Sequence, residues 1–258
     1  MKDPMLYYEV HGTHGPFLLL VHGLLSSRAQ WIPNLKVLTG FCRPVIIELL
    51  GHGRSPSPED PECYTPDHYV REFECIREKL NTERWFVCGQ SLGAALTLRY
   101  ALYHMERLIA QVFTNSRSAF SERSEGRPGK LLEQQIASEG RKIIDNFPLH
   151  PSRSRHLPPD IKDALVQDVE LIDITGFKNT LLYTLPQSSV RDMLSKSQVP
   201  TLMIVGRHDR AFLPLSEIAI KLIPELYVQV FDGGHAVNID AALEFNKTIK
   251  DFILGFGN

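Results

Sequence analysis

Short, nearly unbroken apolar runs recur along the chain. Each is closed by Gly, Pro or Asp and followed by a longer segment whose apolar positions repeat with helical spacing. FLLLVHG (17–23), PVIIELLG (44–51), WFVCG (85–89), LIAQVFTN (108–115), PTLMIVG (200–206) and YVQVFDGG (227–234) read as strands. Continuous rather than alternating apolar character is expected of parallel strands covered on both faces. Residues 28–39, 67–80, 92–104, 214–223 and 240–254 read as helices between them. Such alternation predicts an α/β protein with a mostly parallel, doubly wound sheet.

The alternation stops between residues 116 and 197. This stretch is polar and punctuated by Pro128, Pro148, Pro151, Pro158, Pro159 and Pro186, yet it keeps helical patches in KLLEQQIASEGRKIIDNF and DIKDALVQDVELI. Roughly eighty residues is too long for a loop in a compact domain. The expectation is a mainly helical cap (116–197) inserted into a core formed by 1–115 and 198–258.

Composition narrows the class. The 258 residues carry 28 Lys and Arg against 30 Asp and Glu, a formal charge of −2, with 43% hydrophobic residues. That balance gives no reason to expect nucleic acid or an anionic membrane as a partner. The opening MKDPMLYYEVHG holds no apolar run of signal-peptide length, and no run elsewhere approaches a membrane span, so a cytoplasmic location is expected. Cys42, Cys63, Cys75 and Cys88 form no metal-spaced cluster, and Cys88 reads as a small buried hydrophobe. No metal and no cofactor are expected. A small molecule is the expected partner, and the protein is expected to act as a monomer or homodimer.

The chemistry begins at FVCGQSLGAAL (86–96), where Ser91 stands between Gly89 and Gly93. A strand runs into this motif and a helix leaves it, so the serine sits at the tip of a sharp turn. Bulky neighbours two positions either side would collide across that turn. The turn lifts the hydroxyl above the carboxyl edge of the sheet, where open α/β sheets bind ligands. It also aims the first helical amides, Leu92 foremost, at any oxygen that becomes negative beside Ser91.

A serine hydroxyl attacks carbon only when a base takes its proton, and the base needs an orienting acid. PTLMIVG runs into RHD, which puts Asp209 just beyond the carboxyl edge; the last strand ends in FDGGH, which puts His235 on the following loop. Other residues compete for these roles. Asn115, after the strand preceding the insertion, cannot carry charge. Asp232 is too close in sequence to His235 to orient it easily. His208 reads as a loop residue, and His22 and His52 read as groups that fix Gly-rich loops.

With these segments the chain resembles the α/β-hydrolase superfamily over nearly its whole length outside the insertion. VHGLLSS resembles the family's His-Gly oxyanion loop, GHGRS its second Gly-rich loop and GQSLG its nucleophile elbow, while GRHD and GGHAVNID resemble its acid and histidine segments. The resemblance implies Ser91 as nucleophile, Asp209 as orienting acid, His235 as general base, and the backbone N–H groups of Leu24 and Leu92 as oxyanion donors. Departures occur at Glu48, Leu50, Gln90, Ala94 and Ala241–Ala242; they leave the triad intact and are expected to reshape the pocket mouth.

The substrate is set by the insertion. Between 117 and 156 it carries Arg117, Arg123, Arg127, Lys130, Arg141, Lys142, Arg153 and Arg155 against Glu122, Glu125, Glu133, Glu139 and Asp145. That excess favours a carboxylate-bearing substrate, with Arg117 expected nearest the site. Gln90, Phe120 and Leu213 are further candidates for substrate contact; Phe113, Leu131, Phe147 and Phe177 line an acyl pocket or simply build core. The leading expectation is hydrolysis of a small carboxylic ester, thioester or lactone. The same triad also serves C–C bond hydrolysis of a diketone, or the elimination of the menaquinone-pathway synthases, whose HGLLSS, GHG and SLG segments this chain resembles. A non-catalytic ligand-binding module of the same fold needs no complete triad. An ester series of increasing acyl length separates the first class from the others.

Overall fold

The computed structural model describes residues 3, 5–122, 129–154 and 156–256. Arg123, Glu125, Arg127, Pro128 and Arg155, invoked above, lie outside them.

Seven strands form one sheet: β1 (Tyr8–Val10), β2 (Phe17–Val21), β3 (Arg43–Ile47), β4 (Trp85–Gly89), β5 (Leu108–Thr114), β6 (Thr201–Gly206) and β7 (Leu226–Phe231), in the order β1-β3-β2-β4-β5-β6-β7. All neighbours run parallel except β1, which pairs antiparallel to β3 with Tyr8 opposite Ile47 and Val10 opposite Val45. Three residues are too few to show periodicity, which is why β1 escapes the sequence reading.

Alternation of side chains along each strand divides the core in two. Leu19, Val21, Val45, Ile47 and Val87 face Tyr69, Phe73, Ile76, Leu96 and Tyr100, contributed by α2 (Pro66–Lys79) and α3 (Leu92–Tyr103) after α1 (Ile32–Leu38). Leu18, Leu20, Ile46, Phe86 and Cys88 face the other way, towards Trp31, Leu38, Phe245 and Ile249. β2, β4 and β6 are buried throughout. β7 departs from the expected two-sided cover: it is the edge strand, and Tyr227, Gln229 and Val230 are exposed.

Between β5 and β6 the described chain forms only helices: α4 (Arg117–Phe120), α5 (Gly129–Glu139), α6 (Lys142–Asp145), α7 (Pro159–Val169) and α8 (Ile174–Asn179), with shorter turns of helix around them. The chain closes with α9 (Leu213–Leu222), α10 (Val237–Asp240) and α11 (Ala242–Leu254). The single helix expected over 28–39 is divided at Trp31 into a 3₁₀ turn (Arg28–Trp31) and α1, whose second residue is Pro33, a position where a missing N–H costs nothing.

β3 lies on one side of β2 and β4 on the other, so the strand order reverses at β2. The loops leaving β2 and β4 therefore splay apart into a crevice at the carboxyl edge.

Candidate active site

Ser91 occupies the turn between β4 and α3 with φ 55° and ψ −115°. A non-glycine residue held there costs about 1–3 kcal/mol, and such strain gathers at functional positions. The flanking glycines make the turn possible. A Cβ on Gly93 would lie 2.2 Å from the Val21 carbonyl oxygen, and one on Gly89 2.4 Å from the Gly93 oxygen. The Ser91 carbonyl accepts from the Ser116 hydroxyl at 2.6 Å, which ties the elbow to the end of β5.

The loop after β2 approaches from the other side of the crevice. Leu24 and Leu25 form a turn in which Leu25 is also left-handed, with φ 53°. Gln30 braces it, its Oε1 accepting from the Ser26 hydroxyl at 2.8 Å. His22 and His52 are wholly buried loop supports. His22 Nδ1 lies 2.7 Å from the Gly23 oxygen, and its Nε2 accepts the Leu49 N–H at 3.0 Å, which fixes the proton on Nδ1. Burial pushes His22 down to about 3 and His52 to about 4, so both are neutral.

His235 Nδ1 lies 2.6 Å from Asp209 Oδ2. The Asp209 side chain is 8% exposed, whereas that of His235 is 41% exposed. Burial alone pushes the Asp209 carboxyl up; the His235 hydrogen bond and charge, with the Phe212 and Ala211 backbone N–H groups, outweigh it and hold the carboxyl below its ordinary value. Three further contacts fix the histidine loop. Gln90 Nε2 donates to the His235 carbonyl at 3.0 Å, Asp240 Oδ2 accepts the Gly234 N–H at 2.8 Å, and Asn115 Nδ2 donates to the Gly234 carbonyl at 2.9 Å. Asn115 Oδ1 also accepts the Gly206 N–H, so this residue clamps the ends of β6 and β7 together. His208 and Asp232 pair with each other at 2.7 Å on the surface, away from His235.

A cavity of about 310 Å³ lies over the carboxyl edge. Its wall includes Leu24, Gln90, Ser91 and His235 from the sheet side, and Pro148–Pro151, Arg153, Ser154, His156, Leu157 and Leu165 from the helical segment. The Leu92 N–H begins α3 and so has no acceptor within its own helix.

The substrate-contact candidates divide. Gln90 lines the cavity; Arg117, Phe120 and Leu213 do not. Phe120 is 0% exposed, packed between Phe113 and Phe212. Leu213 packs against the same cluster, and Arg117 is exposed on α4. Aromatic size cannot distinguish core from pocket, and the first turn after β5 folds back onto α3 and α9 instead of over Ser91. Phe113, Leu131, Phe147 and Phe177 are likewise off the cavity wall. Glu48 and Leu50 do not reshape the mouth either. Both are buried, and a Glu48 carboxylate oxygen accepts the Arg54 backbone N–H at 2.7 Å. The residues missed include Gln30, His150, His156 and Ile239. Of these only the paired histidines around a basic stretch left a signal in the sequence.

A family model described as the alpha/beta hydrolase fold matches residues 16–242. A Bacillus subtilis (strain 168) protein, named provisionally as a 2-succinyl-6-hydroxy-2,4-cyclohexadiene-1-carboxylate synthase, is 24% identical over 92% of this chain and 89% of its own length. The enol-lactonase from Burkholderia xenovorans LB400 superposes with a TM-score of 0.81 at 22% identity, covering 96% of both chains. An esterase from Exiguobacterium antarcticum gives 0.80 at 18% identity, over 96% of this chain and 95% of that one. At these structural identities the likeness is one of fold.

Proposed function

The chain belongs to the alpha/beta hydrolase fold family and is an enzyme of that family, and from that premise we propose that it hydrolyses a small carboxylic ester, thioester or lactone through an acyl-enzyme on Ser91. His235 takes the Ser91 proton as the hydroxyl oxygen attacks the acyl carbon, and Asp209 stabilises the imidazolium. The oxyanion is held by the Leu24 and Leu92 backbone N–H groups, each worth roughly 100- to 1000-fold in rate. His235 then gives its proton to the departing alcohol, thiol or hydroxyl as the carbon–heteroatom bond breaks. Water, deprotonated by the same imidazole, attacks the acyl-enzyme and releases the acid together with free Ser91.

The observation that carries this reading is the 2.6 Å bond between His235 and Asp209 beside a cavity that Ser91 also lines. That bond leaves Nε2 as the ring atom free to face substrate. The strained backbone of Ser91 supports it as well, since a solvated serine in an ordinary turn has no use for φ 55°. We further assign residues 116–197 as a cap, on the ground that Pro148–Pro151, Arg153, Ser154, His156, Leu157 and Leu165 form the cavity's outer wall.

Hydrolysis of p-nitrophenyl esters from acetate to hexanoate by the wild type and by Ser91→Ala tests the assignment. The variant is expected to lose about 10⁴-fold or more in kcat. Undiminished turnover in Ser91→Ala refutes it.

A further inference from the structure

The cavity wall is chemically two-sided. The reacting groups proposed above stand at the sheet, while the opposing segment places Arg153, His150, Ser154 and His156 on the same wall. Arg153 makes no ion pair with any described carboxylate; its guanidinium donates to the Asn146 side-chain oxygen at 3.4 Å. His150 is 8% exposed, and its Nδ1 accepts the Ser152 backbone N–H at 3.2 Å. That cap puts the ring proton on Nε2, which is then available as a donor. Ser154 Oγ accepts from the Leu157 backbone N–H at 3.3 Å, so its own hydrogen is free to be given. The carboxylate among the described wall residues, Asp240, is engaged by the Gly234 N–H at 2.8 Å. The same wall carries the apolar side chains of Leu25, Leu157, Leu165 and Ile239.

We infer that this cavity takes substrates carrying a carboxylate at the end remote from the scissile carbonyl, gripped by Arg153 together with the His150 and Ser154 donors. A guanidinium presents parallel N–H groups that match a carboxylate's two oxygens, and a charge-assisted pair is stronger than a neutral hydrogen bond. Net charge plays no part: the protein as a whole is at −2, and the arginine acts locally. The inference rests on the reading of Ser91 as nucleophile only in fixing which end of the substrate is remote; the anion grip is a separate property of the outer wall.

The test compares two acyl chains of equal length, p-nitrophenyl hydrogen adipate and p-nitrophenyl hexanoate, with the wild type, Arg153→Gln and Arg153→Glu. The ratio of kcat/KM for the anionic ester to that for the neutral one is expected to fall about fivefold or more in Arg153→Gln, mainly through KM, because an accessible charge pair contributes at that level. It falls further in Arg153→Glu. An unchanged ratio, or equal losses on both esters, overturns the inference. Calorimetric titration of 6-oxoheptanoate, a methyl ketone of matching length with no ester bond to break, into the wild type and Arg153→Gln reads the grip without any turnover. Binding that weakens in the variant supports it, and absent or unaltered binding contradicts it. Failure of the nucleophile reading shows separately, as hydrolysis that survives Ser91→Ala.

Discussion

The side-chain amide of Gln90 donates to the backbone carbonyl of His235 at 3.0 Å, so the residue beside Ser91 also holds the loop that delivers the histidine. Gln90 is 4% exposed, and a Cβ on Gly23 would lie 2.5 Å from its Oε1, so the amide has little freedom to rotate. Gln90→Met keeps the volume and removes the donor. It is expected to lower kcat about fivefold while KM for a short ester holds, because one buried hydrogen bond is worth roughly 1 kcal/mol and here acts on alignment. Steady-state kinetics with p-nitrophenyl acetate decides; a change confined to KM contradicts this role.

Asp209 is expected to matter through its charge. Asp209→Asn preserves shape but presents an amide to His235 Nδ1, favouring the wrong tautomer. A loss of about 10⁴-fold in kcat is expected at neutral pH, with thermal stability nearly kept. Loss of less than tenfold would remove Asp209 from the mechanism.

Gly93 is fixed by space. An added Cβ meets the backbone oxygens of Val21 and His22 at 2.2 and 2.6 Å, neither of which can swing aside as a side chain does. Gly93→Ala is expected to destabilise the fold by roughly 1–3 kcal/mol, the range of overpacked cores. Urea unfolding measures it, and an unshifted midpoint contradicts the packing described.

Acid should loosen the protein before most carboxylates titrate. His22 and His52 are held at about 3 and about 4 when folded, below the 6.5 of the unfolded chain. The unfolded state therefore binds more protons below pH 6.5, and stability that is complete above that value drains away as the pH falls. At pH 5 each histidine is expected to have cost about 2 kcal/mol relative to pH 7. Burial raises the Glu48 carboxyl and opposes this trend. Denaturant unfolding at pH 7 and pH 5 checks the sign, and His52→Gln should flatten the profile.

The parallel strands were legible because burial on both faces leaves continuous apolar runs, as in Leu18–Val21 and Val45–Ile47. The Ser91 turn was legible because it demands glycine at two positions for reasons of space alone. β1 was too short to show a period, and β7 read as buried although it closes the sheet's edge. Substrate contacts were the least legible. A polar helical segment reveals its composition but not its direction, so Arg117 and Arg153 look alike in sequence; both are exposed, and of the two only Arg153 also lines the cavity. Gln30 and Asn115 act through side-chain hydrogen bonds to distant loops, Gln30 to Asn238 and Asn115 to Gly206 and Gly234, which no local pattern records.

The central claim is that Ser91 is a nucleophile made reactive by His235. Covalent labelling with a fluorophosphonate, followed by peptide mass spectrometry, tests it most directly. A single adduct on the peptide bearing Ser91, absent from Ser91→Ala and greatly slowed in His235→Gln, is the predicted result. An unlabelled protein, or an adduct on another residue that persists in Ser91→Ala, would contradict the account.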